Sequence, residues 1–273
     1  MAQLDPAMSA LLFDPGQHCR AKQRWARSAW RVWDAALDLF FPPHCASCGN
    51  PLPEWVNKAV CKACADQVRW IGSDRCLRCG DSVGEGMGPV RACVSCGTHP
   101  PRFVRASVAT LLYEDGPASD LVKALKFGGK SHMAATLGRL LAARIMQIGL
   151  LQGRSGVVVV PAPLTRAALF HRGYNQAEEL ARVVASELRL KLETRLLKKI
   201  RATQPQALLT EKKRRENLLG AFACDPRRVR KLNGAPILLI DDVITTGSTI
   251  SECARTLHDA GFPTIYAASC ARG

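Results

Sequence analysis

Eight of the twelve cysteines fall between residues 45 and 96 as four C-x-x-C pairs: Cys45 and Cys48, Cys61 and Cys64, Cys76 and Cys79, Cys93 and Cys96. A segment this short has too little apolar surface to fold alone, so the thiols dictate its shape. Each pair forms a knuckle whose turn aims two thiolates at one ion, and two knuckles complete a tetrahedral Zn²⁺ site with Zn–S near ~2.3 Å. Gly49, Gly80 and Gly97 each follow the second cysteine of a pair and supply the open backbone that lets amides approach sulfur. The gaps inside the two sets are twelve residues (49 to 60) and thirteen (80 to 92), which predicts a duplicated ribbon over residues 42–99. Sequential pairing is the preferred assignment, with pairs one and two on one ion and pairs three and four on another; the spacing leaves interleaved pairing open. With four thiolates committed to each ion, neither site keeps a position for water, and both are structural. Cys19, Cys224, Cys253 and Cys270 stand alone and read as small buried hydrophobes.

This metal reading depends on compartment. No stretch reaches the ~18 apolar residues of a membrane span. The opening "MAQLDPAMSALLFDPGQHC" has no basic region leading into a long apolar core. A cytoplasmic chain is therefore expected, where thiols favour metal over disulfides. The net charge of +15 calls for an anionic partner. Its distribution says more: residues 191–231 hold thirteen Lys or Arg against four Asp or Glu.

The 273 residues suffice for more than one domain. Residues 1–41 form an N-terminal extension in which Trp30, Trp33, Leu37 and Phe40 recur at helical intervals within 22–41 before Pro42-Pro43 stops the run. After Pro100-Pro101 strand and helix patterns alternate. "VRASVATLLY", "GVVVVPAPL", "KLETRLLKKI", "PILLID" and "TIYAASCAR" read as strands. "GPASDLVKALKF", "SHMAATLGRLLAARIMQIG", "YNQAEELARVVASEL" and "STISECARTLHDAG" read as helices. The expected fold class is α/β: residues 100–273 as a largely parallel sheet with helices on both faces, preceded by the small zinc-ribbon domain. Ligands in such sheets bind beyond the carboxyl ends of strands, where Pro161 and Asp241 fall.

The stretch "PILLIDDVITTGSTI" (236–250) carries the chemistry. An apolar strand runs into Asp241 and Asp242, then into small hydroxyl residues at a helix N-terminus, which cradles an anion through backbone N–H groups and the helix dipole. Carboxylates would repel the same phosphate, so the ligand has two ends. A sugar phosphate fits, its phosphate on Thr245, Thr246, Gly247, Ser248 and Thr249 and its hydroxyls on Asp241 and Asp242. The stretch closely resembles the phosphoribosyl-pyrophosphate (PRPP) motif of type I phosphoribosyltransferases. That resemblance implies an acidic pair on the ribose hydroxyls, a loop around the 5′-phosphate, and Mg²⁺ bound with PRPP.

Two further stretches narrow the family. "PAPLTRAALFHRGYNQAEELA" contains Arg172-Gly173-Tyr174-Asn175-Gln176, and "TQPQALLTEKKRRENLLGAF" contains Gln206, Leu209, Arg214 and Asn217 at fixed spacing. Together with "LKFGGK" and the double ribbon they resemble the ComF family (ComFC- and GntX-like proteins) over roughly residues 37–272. The turn at Ala162-Pro163 is expected to offer backbone amides to pyrophosphate, with Arg166 and Arg172 as cationic forks. Arg201, Lys212, Lys213, Arg214 and Arg215 occupy the position of the family's mobile loop. Arg172 and Arg214 are the candidate catalytic residues, because departure of pyrophosphate needs charge stabilisation more than a protein nucleophile. Asn175 and Gln176 are expected to fix the loop locally. The basic run, Lys212 to Arg215 above all, is also the candidate contact for single-stranded DNA. The resemblance implies a role in DNA uptake and natural competence, with competence or DNA-processing proteins as partners. The alternative is an active phosphoribosyltransferase acting on an acceptor that no constellation in the chain reveals.

Overall fold

The computed structural model describes residues 44–52, 59–94, 96, 101–127, 131–203 and 211–273, the side chains at 127, 131, 132, 211, 212 and 215 excepted. The expected helix over 22–41, with its tryptophans, lies outside the described residues, as do Cys19, Gly97, Gln206 and Leu209. In chain order the elements begin with a short helix α1 (Lys62–Ala65), strand β1 (Ala106–Leu112), and helices α2 (Pro117–Phe127) and α3 (Ser131–Gln147). Then come β2 (Val158–Pro161), α4 (Arg166–Arg172), α5 (Gln176–Glu187), β3 (Lys191–Leu192) and β4 (Leu197–Lys199). The chain closes with α6 (Glu211–Leu218), β5 (Phe222–Cys224), α7 (Pro226–Leu232), β6 (Ile237–Ile244), α8 (Ser248–Asp259) and β7 (Ile265–Arg272). No helix among the described residues is long and apolar enough to cross a membrane.

Five strands form one parallel sheet in the order β1-β7-β6-β2-β3. Its inner strands are buried on both faces, as their unbroken apolar runs require. Alternate residues serve two cores. Val159, Leu238, Ile240 and Ala268 pack under α2, α3 and α5, while Val158, Val160, Ile237, Leu239 and Ala267 pack under α7 and α8. From β2 the chain passes through α5 to β3 on one side; from β6 it passes through α8 to β7 on the other. The order therefore reverses between β2 and β6, and a crevice opens there at the carboxyl ends of the strands.

Local outcomes also differ from the sequence expectation, helices α4, α6 and α7 among them. "KLETRLLKKI" is two strands, because Glu193 accepts a hydrogen bond from its own near neighbour, Arg195 N–H (3.1 Å), and the turn sends Leu196 and Leu197 into the second core. β3 stays at the sheet edge, and β4 pairs antiparallel with β5. The strand expected to end at Asp241 is longer: β6 runs on to Ile244. Helix α7 had legible signals at both ends, with Asp225 capping the Arg227 and Arg228 N–H groups, Pro226 at its first position, and Asn233 left-handed before Gly234.

The ribbon region is built onto the sheet. Ile71 N–H donates to Thr110 O (3.0 Å) and Leu112 N–H to Arg69 O (2.9 Å), so the chain continues the edge at β1. Arg144 of α3 donates to the carbonyls of Ile71 (2.6 Å) and Gly72 (2.5 Å). Cys45, Val60, Cys64, Ala65 and Val68 belong to the same core as Leu111, Leu121 and Leu137.

Candidate functional site

The eight paired cysteines gather as Cys45, Cys48, Cys61, Cys64 and as Cys76, Cys79, Cys93, Cys96, with the four sulfurs of each set within 4.8 Å of one another. This is the sequential pairing. Four thiolates at ~2.3 Å from one tetrahedral ion stand about 3.8 Å apart. The observed separations are 3.7 Å for Cys48–Cys61, 3.7 Å for Cys76–Cys96 and 3.6 Å for Cys79–Cys93. Cys61 N–H approaches the Cys45 sulfur at 3.3 Å, the amide contact expected of a knuckle. Burial raises the Cys45 thiol, but N–H groups of Cys48, Cys61 and Ser47 outweigh it and bring it down to about 6. Cys76 is likewise raised by burial, then brought down to about 7 by N–H groups of Cys79, Arg78 and Cys93. Burial pushes Cys64 up to about 12 and Cys96 up to about 11. In each set, backbone N–H groups thus favour the thiolate at one cysteine while burial opposes it at another. Both tetra-cysteine sites suit structural zinc.

The second chemistry lies in the crevice. β2 ends at Pro161, opposite Ile240, while β6 continues to Ile244 paired only with β7. Asp241 and Asp242 therefore stand on the stretch of β6 that has lost one neighbour, and a cleft of 590 Å³ opens beside them. It brings together Asp241, Asp242, Thr245, Thr249, Ala162, Pro163, Arg172 and Arg214. Thr246, Gly247 and Ser248 line an adjoining pocket of 40 Å³ with Asp241, Thr245 and Thr249, at the N-terminus of α8. Gly247 takes φ +71°, the left-handed turn that points the chain into α8. The hydroxyls of Thr246 and Ser248 lie 2.8 Å apart.

The two carboxylates are held differently. Asp241 Oδ1 accepts from Asp242 N–H and Asp242 Oδ1 from Val243 N–H, both at 2.9 Å. Asp242 also meets Lys126 Nζ at 3.1 Å and Gln176 Nε2 at 3.5 Å. Burial, then the charge of Asp242, pushes the Asp241 carboxyl well above the usual carboxylate range.

The Arg172-to-Gln176 run braces this cleft. Gly173 ends α4 in the left-handed conformation with Arg172 in the last turn. Tyr174 donates to Leu125 O of α2, and Asn175 caps α5 while donating to Ala162 O (3.0 Å). Ala162 N–H donates to Ile240 O (2.8 Å) and Pro163 has no N–H, so these two residues line the cleft without offering it the expected amides. Arg166 lines a neighbouring cavity rather than the cleft. Arg201 donates to Asn217 O and Leu219 O, both at 2.9 Å, and so holds the end of α6. On α6 itself Arg214 lines the cleft and Lys213 is exposed; the side chains of Lys212 and Arg215 lie outside the description.

Two cations of the cleft escaped the sequence reading, Lys126 and Lys199. Lys126 sits in "LKFGGK". Lys199 lies two positions from buried Leu197 on β4, a same-face spacing that signals an inward lysine. Its ammonium contacts Thr203 Oγ1 (2.8 Å) and the Phe222 ring (5.6 Å), and burial lowers its pKa.

Residues 36–98 match the family model of the double zinc ribbon domain. The chain is 31% identical to DNA utilization protein YhgH of Salmonella typhi, over 83% of this chain and 96% of that one. It is 28% identical to competence protein F of Haemophilus influenzae, over 85% and 98% respectively. Competence protein ComFC of Bacillus subtilis is 25% identical over 75% of this chain and 80% of its own length. With the double zinc ribbon matched and 31% identity to a YhgH protein over 83% of its length, the chain belongs to the ComF family of YhgH- and ComFC-like proteins.

Proposed function

We propose that the chain binds Mg²⁺–PRPP in the cleft between β2 and β6 and acts in the cytoplasm in DNA uptake or utilisation. The observation that supports this is the meeting of an acidic pair, a hydroxyl-lined helix N-terminus and two arginines around one cavity. The 5′-phosphate would sit on Thr245 to Thr249, against the positive end of α8. Asp241 and Asp242 would take the ribose hydroxyls, Asp241 gaining an acceptor or donor partner that offsets its burial. Arg172, Arg214 and Lys199 would face the pyrophosphate and stabilise the charge that grows there as its bond to ribose lengthens. Mg²⁺ enters with the pyrophosphate and neutralises it, needing few protein ligands; the oxygen donors of the acidic pair suit this hard cation. The DNA role draws on the relatives' names, DNA utilization protein and competence protein.

Calorimetry tests the cleft. Asp241→Ala with Asp242→Ala is expected to abolish Mg²⁺-dependent PRPP binding and leave the zinc content intact. Two charged hydrogen bonds at ~1.5–3 kcal/mol each amount to roughly 3–6 kcal/mol. Equal affinity in wild type and the double variant would remove the ribose role.

A second reading, single-stranded DNA binding, has its own support in the +15 charge and in α6, whose EKKRRENL sequence has one buried apolar residue, Leu218, among the described side chains. Phosphate contacts of that kind are sequence-independent and salt-sensitive. Competence or DNA-processing proteins are the partners this reading implies. Transfer of the ribosyl phosphate to an acceptor remains the alternative activity of the same cleft, and pyrophosphate release assayed across bases, ammonia and amines distinguishes it from binding alone.

A further inference from the structure

Behind the Pro163–Thr165 turn lies a second cavity of 680 Å³ that shares Pro163, Leu164, Thr165, Asn175 and Lys199 with the cleft. It is cationic. Arg166, Lys198, Lys199 and Arg201 line it, and its one acid, Glu178, is paired with Arg182 outside it. Lys198 is balanced by Asp225 at 2.7 Å, but Arg201 donates to neutral carbonyls and meets no carboxylate among the described residues. Ile200, 64% exposed, and Leu169, 44% exposed, line the cavity, and Phe170, beside Leu169 on α4, is 93% exposed. Phe170 lies four residues after Arg166, so a guanidinium and an open aromatic face share one side of the helix.

Cations in a groove and an exposed ring on the helix that flanks it match a polyanion that carries flat apolar faces. Only unpaired bases can stack on a side chain, whereas a duplex hides them. We propose that this groove is the binding track for a single strand of nucleic acid, with its phosphates on Arg166 and Arg201 and a base stacked on Phe170. The inference rests on the single-stranded DNA reading above and moves the principal contact from α6 to the α4–β4 groove.

The test uses the full zinc-loaded chain and fluorescence anisotropy with labelled oligothymidylate, a labelled duplex and inorganic polyphosphate. Phe170→Ala is expected to weaken oligothymidylate binding about 5- to 150-fold, the range for one stacked base, without changing the salt slope or polyphosphate binding. Phe170→Trp should restore it. Arg166→Ala should reduce the magnitude of the single-strand salt slope by about 0.7. Wild-type affinity in both alanine variants overturns the proposal, as does tighter binding of the duplex than of the single strand. If those variants bind normally while Lys213→Ala with Arg214→Ala does not, the strand lies along α6 and single-strand binding itself survives. A wild-type chain that ignores oligothymidylate defeats both.

Discussion

Asp241 and Asp242 share a peptide bond but not an environment. Asp242 is buried with the Lys126 ammonium beside it, whereas Asp241, half-buried at the cleft, is desolvated and faces its neighbour's charge. A carboxyl raised in the fold holds its proton at pH values where the unfolded chain has released it. The folded state then binds more protons, so stability falls as pH rises from the ordinary carboxylate value through the raised one. Asp241→Asn removes that loss. It is expected to raise the melting temperature at neutral pH, by about 2–4 °C per kcal/mol recovered in a chain of this size, with the gain vanishing below the ordinary carboxylate range. The same variant is expected to bind PRPP more weakly in calorimetry, since the proposed ribose contact loses its carboxylate. A melting temperature unchanged between wild type and Asp241→Asn at pH 7 and above would show that the carboxyl is not held under strain.

The two ribbons differ as elements. The first places Cys45 and Cys64 in the core that runs beneath α2 and α3. The buried apolar cluster of the second is Cys76, Cys79 and Cys96, with Val83, Val90 and Cys93 packed around it among the described residues. Metal is therefore the core of the second ribbon, and one of several supports for the first. Elemental analysis of reduced protein is expected to find two zinc ions per chain. Cys79→Ser should drop one of them and unfold residues 75–96 locally, with little change in the main melting transition. Cys45→Ser should also lose one ion, but lower that transition, because its site is continuous with the sheet's core. Equal effects from the two substitutions would contradict this asymmetry. Gly80 ties the second ribbon down: at φ +76°, a Cβ there would meet Val108 Cα at 3.1 Å.

At the scale of the whole molecule, the ribbon region and the sheet are one packed body among the described residues. Backbone hydrogen bonds from Ile71 and to Arg69 extend the β1 edge, Arg144 reaches into the ribbon's connecting chain, and Ser47 donates to Asp120 Oδ2 (2.8 Å). A fragment of residues 101–273 would uncover the β1 edge and apolar side chains such as Leu111 and Leu121. It is expected to aggregate or to melt well below the full chain, since an unpaired edge and an opened core each favour association. A monomeric fragment with the melting temperature of the intact protein would show that the ribbon only rides on the sheet. Arg144→Met offers a milder form of the same test: loss of its hydrogen bonds to the ribbon carbonyls, at ~1.5–3 kcal/mol each for a charged donor, should loosen the ribbon without removing zinc.

Local pattern was enough for the metal sites, the alternation of strand and helix, and the acidic pair with its hydroxyl loop. Thiol spacing, apolar period and a strand-to-helix turn are each encoded within a few residues, so neighbours in sequence are the partners that matter. Sequential pairing of the knuckles needed three dimensions, because spacing says nothing about which turns meet. So did the cleft's cations. Lys126 and Lys199 lie 115 and 42 residues from Asp241 in sequence, and only the packing of α2 and of the β4–β5 ribbon brings them to it. Tertiary structure also separated Arg166 from Arg172: six residues apart on α4, they line different cavities, since a helix turns successive side chains to different faces.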